Sequence, residues 1–520
     1  MSSIANSKSR GGGSLTRSAK YTTEAEAHSR TSHRPFRMAR WVARNRQRGV
    51  PLILLLAFRV LVSLFVLRTG FRALSDDDFS RVVIAQSFAA HPSLDPSGTS
   101  WLPFPFWLYG TCMSLLGATL ANARLIAFLL GLFGALGVWI AGRWLGLSRN
   151  TSLLGAIIAC CIPYSAWLGV TTTPDYYNAV LILLACCSLA HGHTSIRALG
   201  AVAITIAALS RYESWPVAVV FAGFVAIDAC RTRTRWSAAL ALLALAAPVS
   251  WMLHGIYHHN DALFFVKRVV NYRRALGLAD TDALTRVLAT PGHLFRDVPE
   301  LWAAGLFSLF GALLGHCRPF RRRWLKPSLA LFSIILFLSI GDWRDGAATH
   351  HVGRTLLPIW FFVSLLVAKL TLWQLGNIST LQKAIRTTAL IAVTGFCFFV
   401  LRPAWTNVEG FCPRQEETAI GTLAASKIAT GQRVLIDTVD YGYFAIEAAF
   451  ARPNDVVILD AHDPRHPTKS DAFASEGKLR AALTQHRSKW LLMQRMHESC
   501  LGASAFIHFR GPTLLLAEMR

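Results

Sequence analysis

The sequence predicts an all-α polytopic membrane protein of about eleven transmembrane helices, followed by a small α/β extracytoplasmic domain at its carboxy end. Three observations carry that expectation. Of 520 residues, 53% are hydrophobic and only 16% charged, against roughly 25% charged residues in soluble proteins. Between residues 50 and 402, apolar blocks recur at close to the roughly 20 residues that cross a bilayer as helix. Beyond residue 402 the composition returns to that of an ordinary soluble domain. Collagen, disordered and disulfide-scaffold classes are excluded by the same composition.

Residues 1–49 are rich in Ser, Gly and Arg and poor in large aliphatics, which predicts a disordered basic cytoplasmic tail and not a cleavable signal peptide. Twelve apolar blocks follow, near 50–69, 103–119, 123–142, 150–170, 176–190, 196–210, 215–230, 236–253, 298–315, 327–341, 354–374 and 386–402. If all twelve crossed, the loops carrying Arg231, Arg233 and Arg235, and Arg318, Arg321, Arg322, Arg323 and Lys326, would lie opposite the basic tail, against the positive-inside tendency. The stretch WLPFPFWLYG, broken by Pro103 and Pro105 and rich in aromatics, suits an outer interface. Leaving it uncrossed gives eleven spans and puts the Arg-rich loops inside. The formal charge of +24, from 53 Lys+Arg against 29 Asp+Glu, is then mainly a topology signal, and a nucleic-acid partner is excluded. The predicted divisions are the tail 1–49, a membrane domain 50–402 with outer loops 70–122 and 254–297, and an extracytoplasmic domain 403–520.

In that last domain, apolar runs at 433–437, 455–460, 489–493 and 512–518 read as strands, and helical periodicity appears at 417–430 and 477–486. Of ten cysteines, eight lie in or beside the membrane body as small apolar groups. The other two, Cys412 and Cys500, fall in a compartment that permits a disulfide between them.

Polar residues cluster at the outer ends of spans. Asp76, Asp77 and Asp78 follow the first span; Arg124, Asp175 in TTTPDYYN, and Arg211 with Glu213 follow later. The loop GDWRDGAATHHVGRTLLP adds His350, His351 and Arg354, and the large outer loop presents Lys267 and Arg268 among apolar residues. Each has a bland explanation, as helix cap, snorkelling cation or ion pair. Charges at membrane depth cost several kcal/mol unless paired or wet, so their gathering on one side points to a polar cavity. One carboxylate of the Asp run could then serve as general base or metal ligand.

These residues resemble the integral-membrane glycosyltransferases of the GT-C fold, and among them the family of protein O-mannosyltransferases and the lipid A aminoarabinose transferase. The likeness rests on the acidic pair Asp77 and Asp78 with Asp76 beside it, the Pro-aromatic stretch, Arg124, the TPD loop ending in Asp175, the RTLLP stretch opening a late span, and the outer carboxy-terminal domain. It departs from the family in showing Asp-Asp-Asp where an Asp-Glu pair is common, and in Phe104 separating Pro103 from Pro105. The base is thereby left open among the three aspartates.

The resemblance implies an enzyme, an inverting hexosyl- or pentosyltransferase moving a single sugar from a polyprenyl-phosphate donor to an extracytoplasmic acceptor: a glycan, lipid or protein hydroxyl, or a lipid phosphate. In this scheme Asp77 or Asp78 deprotonates the acceptor, and Arg124, Arg211, Arg354, Lys267 and Arg268 are candidates for the departing phosphate. Asp175, with Glu213, His350 and His351 in support, orients the base, or with Asp78 holds a divalent metal such as Mg or Mn. The implied location is the lipid bilayer of a bacterial inner membrane, part of cell-envelope assembly. Two other classes compete, a secondary transporter and a non-catalytic envelope-assembly protein that binds lipid-linked sugars. The transporter is disfavoured by polar residues at outer span ends instead of mid-span, and by the absence of repeat symmetry.

Overall fold

The structure is a computed structural model. It describes residues 34–275, 283–313, 320–344, 352–376, 379–382, 388, 413–437, 440–459, 472–502 and 505–519. The chain divides into two compact units, Met1–Val50 and Pro51–Arg520. Helix α1 (Arg34–Arg68) begins inside the segment expected to be tail, because Ala, Arg and Met there are strong helix formers and Pro35 sits in the first turn, where its missing N–H costs nothing.

The membrane body continues through α2 (Asp77–Ala90), α3 (Phe104–Leu116), α4 (Leu120–Trp144), α5 (Arg149–Cys161), α6 (Pro163–Leu168), α7 (Asp175–Ser188), α8 (Thr194–Ala208), α9 (Ser214–Thr232) and α10 (Arg235–His259). Among the described residues it goes on with α11 (Phe264–Ala275), α12 (Ala283–Arg296), α13 (Pro299–Leu313), α14 (Phe320–Trp343), the single turn α15 (Val352–Thr355) and α16 (Leu357–Gly376). Among the described residues five helical stretches are long and apolar enough to cross a membrane: Gly49–Arg68, Leu120–Trp144, Ser214–Thr232, Arg235–His259 and Arg323–Trp343. Four more apolar helices are shorter, Phe104–Leu116, Asp175–Ser188, Thr194–Ala208 and Leu357–Leu372. Eleven full-length spans are therefore not what these helices establish. The predicted block 386–402 lies outside the described residues apart from residue 388, and the block 150–170 is divided at Pro163 into α5 and α6.

Small residues set the packing. A Cβ at Gly134 of α4 would run into the Tyr176 ring of α7, and one at Gly137 into Val180, so this glycine face lets the two helices approach closely. A second core joins Phe79, Val82, Tyr109, Met113 and Ile126 of α2, α3 and α4 to Ala445 and Ala448 of the carboxy-terminal domain.

That domain holds α17 (Gln415–Lys427), β1 (Arg433–Ile436), α18 (Tyr443–Phe450), β2 (Val456–Ile458), α19 (Glu476–His486), β3 (Ser488–Gln494), β4 (Ala505–Arg510) and β5 (Leu514–Met519). The sheet order is β2-β1-β3-β5-β4. β1 runs parallel to β2 and β3, and β5 is antiparallel to β3 and β4. All four strands expected from the sequence are present; β4 and α18 are additional. Helix α18 buries Ala445, Ile446, Ala448 and Phe450 against the sheet and the membrane body.

Candidate active site

The three consecutive aspartates end up in three environments. Helix geometry turns successive side chains by about 100°, so neighbours in sequence point toward different surroundings. Asp76 stands just ahead of α2 and meets Arg414, just before α17, in a two-bond ion pair, Nε to Oδ1 at 2.9 Å and Nη2 to Oδ2 at 3.0 Å. Asp78 is 5% exposed. Its Oδ2 accepts the Leu74 and Ser75 backbone amides at 2.9 and 3.3 Å, and its Oδ1 accepts the Thr172 amide at 3.0 Å. The Thr172 hydroxyl donates to the Asp78 carbonyl at 2.6 Å, completing a clamp between α2 and the loop ahead of α7. Burial raises the Asp78 pKa, although Arg354 and the three amides pull it back. Asp77 is different: its carboxylate is 44% exposed and its ion-pair partner is Arg354, 3.9 Å away.

Arg354 reaches the site from α15. Only 4% of its side chain is exposed, and its Nη2 donates to the Ser75 hydroxyl at 3.1 Å. Asp175, whose side chain is fully buried at the start of α7, pairs with Arg211 at 2.9 Å. Arg211 also pairs with Glu213, which accepts a 3.5 Å hydrogen bond from Asn178. Burial opposes the Arg211 charge, but Asp175 and Glu213 together hold its pKa above the ordinary arginine value, while burial raises that of Glu213. The expected Arg211–Glu213 pair is thus present, with Asp175 as its third member.

Arg124 lines a narrow pocket together with Arg72, Asp78, Phe79, Leu120, Val170, Thr171 and Thr172. A second, tightly filled cleft is lined by Arg81, Val82, Pro105, Phe106, Tyr109 and Thr172. Burial lowers the Arg81 pKa, with Asp77 and Asp175 opposing. The sequence reading did not single out Arg72, Arg81, Thr172, Tyr109 or Arg414. Arg72 and Arg81 stand within a few residues of the Asp run and could have been found by that proximity; Arg414 carried no local signal.

Other expected residues stand apart. Lys267 is 76% exposed and pairs with Asp261 at 2.6 Å, so its own helix turn engages it. Arg268 is half-buried on the same helix. His350 and His351 lie outside the described residues. Cys412 does too, and the Cys500 thiol donates to the Phe473 carbonyl at 2.7 Å. Asp78 gives both carboxylate oxygens to backbone amides and Asp175 is turned to Arg211, which makes the pair poor metal ligands. Among the described residues, the group of three that could hold a metal is Asp95, His254 and His259, whose ligand atoms lie within 4.8 Å of one another. The buried His254 Nδ1 has no hydrogen-bond partner. Two imidazoles and a carboxylate suit zinc better than Mg or Mn.

The fold is similar to that of known proteins. A family model described as dolichyl-phosphate-mannose-protein mannosyltransferase matches residues 91–253. The crystal structure of ArnT from Cupriavidus metallidurans bound to undecaprenyl phosphate is similar over 90% of this chain and 98% of that one, at 13% identity and a TM-score of 0.56. The apo structure of the same ArnT is similar over 89% and 97%, at 15% identity and a TM-score of 0.51. No curated protein matches the chain. The chain has the fold of the GT-C membrane glycosyltransferases.

Proposed function

We propose that the protein is an inverting glycosyltransferase that moves one sugar from a polyprenyl-phosphate donor to an acceptor on the extracytoplasmic face of a bacterial inner membrane. The observation that carries this reading is the sorting of the three aspartates. Asp76 is taken by Arg414 and Asp78 by backbone amides, whereas Asp77 keeps an accessible carboxylate beside Arg354. Asp77 is then the general base. It takes the acceptor proton as the acceptor oxygen bonds to the anomeric carbon, and the bond from that carbon to the donor phosphate breaks with its electron pair leaving on phosphate.

Charge developing on the leaving phosphate needs fixed cations. Arg72 and Arg124 share the pocket beside Asp78, and Arg354 stands on the Asp77 side. Asp175, Arg211 and Glu213 form the buried network behind them that holds the loop before α7 in place. The ArnT structure holding undecaprenyl phosphate supports the donor class by likeness of fold. A divalent metal, in this reading, is bound at Asp95, His254 and His259 as a staple between the first outer loop and the end of α10, away from the chemistry.

The experiment supplies membranes containing the protein with undecaprenyl-phosphate-linked sugars and follows label into envelope lipid, glycan and protein. Transfer that depends on the protein supports the reading. Uptake of the labelled sugar into vesicles without any covalent product would favour a transporter.

A further inference from the structure

Helix α1 buries one narrow stripe, Leu55, Arg59, Ser63 and Val66, spaced so that all four lie on one face. Leu54, Leu61 and Phe65 on its other faces are more than half exposed. Arg59 is therefore turned inward, midway along the apolar stretch Gly49–Arg68, with 0% of its surface exposed. A charge at that depth is costly. Among the described residues no carboxylate or carbonyl oxygen accepts a hydrogen bond from its three guanidinium nitrogens, although the Cys160 thiol of α5 stands close by. The first span thus carries a cation that stability alone does not call for.

What Arg59 touches is the loop that serves the Asp run. Its guanidinium lies 4.9 Å from the centre of the Tyr176 ring. It also lies against Gly169, where an added Cβ would collide with Nη2. Gly169 has φ −80°, a backbone that any residue adopts, so its lack of a side chain makes room for the arginine and is not needed by the turn. Gly131 of α4 closes the same spot, since a Cβ there would lie 3.4 Å from Nη2 and run into the Gly169 carbonyl. Gly169 ends α6, and the carboxy end of a helix favours a positive charge. Between Gly169 and Tyr176 run Thr172, whose amide and hydroxyl hold Asp78, and Asp175, which pairs with Arg211. One side chain of the first span therefore braces both ends of segment 170–175. A planar guanidinium suits that place because it can lie flat against a ring, which an ammonium or an aliphatic chain cannot do in the same way.

We propose that Arg59 is a positioning residue for the transfer step. By bracing Gly169 and Tyr176 it sets where Thr172 holds Asp78, and through the Asp run it sets where Asp77 stands. It touches neither donor nor acceptor and moves no proton. The proposal rests on the glycosyltransferase reading. An apolar side chain of similar volume would serve the fold as well or better, as replacement of buried ionic groups often does.

The test uses the full-length protein in liposomes, with melting temperatures recorded in detergent. Undecaprenyl phosphates of mannose, glucose, galactose and 4-amino-arabinose are compared first, and the best donor is kept. Arg59→Met removes the charge at similar length, so it should melt no lower than wild type. It should hold the donor KM within about 2-fold and lose about 10-fold or more in kcat. Gly169→Ala leaves Arg59 in place but crowds its guanidinium off the loop, and should lose a similar factor in kcat. In the double variant the two losses should not add, because both act through one contact. If either single variant keeps the wild-type kcat, if kcat falls only in step with a lower melting temperature, or if the losses add in full, the proposal is overturned while the glycosyltransferase reading stands. If wild type transfers from none of the four donors, the underlying reading fails and the proposal falls with it.

Discussion

Asp76 and Arg414, 338 residues apart, form an ion pair with two hydrogen bonds, at 2.9 and 3.0 Å. Arg414 also donates to Glu417 and Asp440, each at 2.9 Å. Close by, the Gln86 amide of α2 donates to the Ala448 carbonyl of α18 at 2.9 Å. The acidic run is thereby tied to the carboxy-terminal domain. Arg414→Ala should lower transfer 10-fold or more while the membrane body remains folded. Arg414→Lys should recover only part of the loss, because a lysine cannot make the two-bond fork. Initial rates on matched amounts of purified protein check both.

Asp78 has a structural task that differs from catalysis. Asp78→Ala leaves the Leu74, Ser75 and Thr172 amides without their acceptor, at about 1–3 kcal/mol for each group that stays dry. The variant should melt well below wild type in detergent. Thr172→Val should reproduce part of the same loss, since it removes the hydroxyl and keeps the amide. A melting temperature unchanged in both variants would remove the clamp from the account.

Acidic groups make stability depend on pH in the carboxy-terminal domain. Glu447 on α18 is 6% exposed, and burial pushes its pKa to about 8, against about 4.3 in an unfolded chain. Between those values the folded domain holds a proton that the unfolded chain has released. Stability from this group is therefore full below about pH 4 and falls as pH rises toward 8, by up to a few kcal/mol. Glu447→Gln should flatten the decline and melt higher than wild type at pH 8. Thermal melts from pH 5 to 8 measure it.

Metal removal should act on stability and not on the chemical step. Chelation should lower the melting temperature of wild type, a ligand held at 100 times its Kd being worth about 2.7 kcal/mol. His254→Ala and His259→Ala should melt low already and ignore the chelator. Equal chelator sensitivity in all three proteins would show that Asp95, His254 and His259 hold no metal.

Much of the site was legible because its charges stand where charge is costly. The Asp run, Arg124, Asp175, Arg211, Glu213 and Arg354 each interrupt apolar surroundings at a span end, and the structure brings most of them around Asp77 and Asp78. The division of labour among the aspartates was not legible, since it depends on Arg414 and Thr172, which lie 338 and 94 residues away. Lys267 looked equally promising in sequence and is engaged by Asp261 within its own loop. In the fold, β1, β2, β3 and β5 announced themselves as short apolar runs, whereas β4 was not singled out, since His508 and Arg510 interrupt the apolar run AFIHFR.

The central claim is that Asp77, alone among the three aspartates, removes the acceptor proton. Transfer from an undecaprenyl-phosphate sugar by Asp77→Asn, with its melting temperature recorded beside wild type, tests it most directly. The expected result is a loss of about 100-fold or more in kcat with no change in melting temperature. Undiminished transfer by Asp77→Asn would contradict the claim.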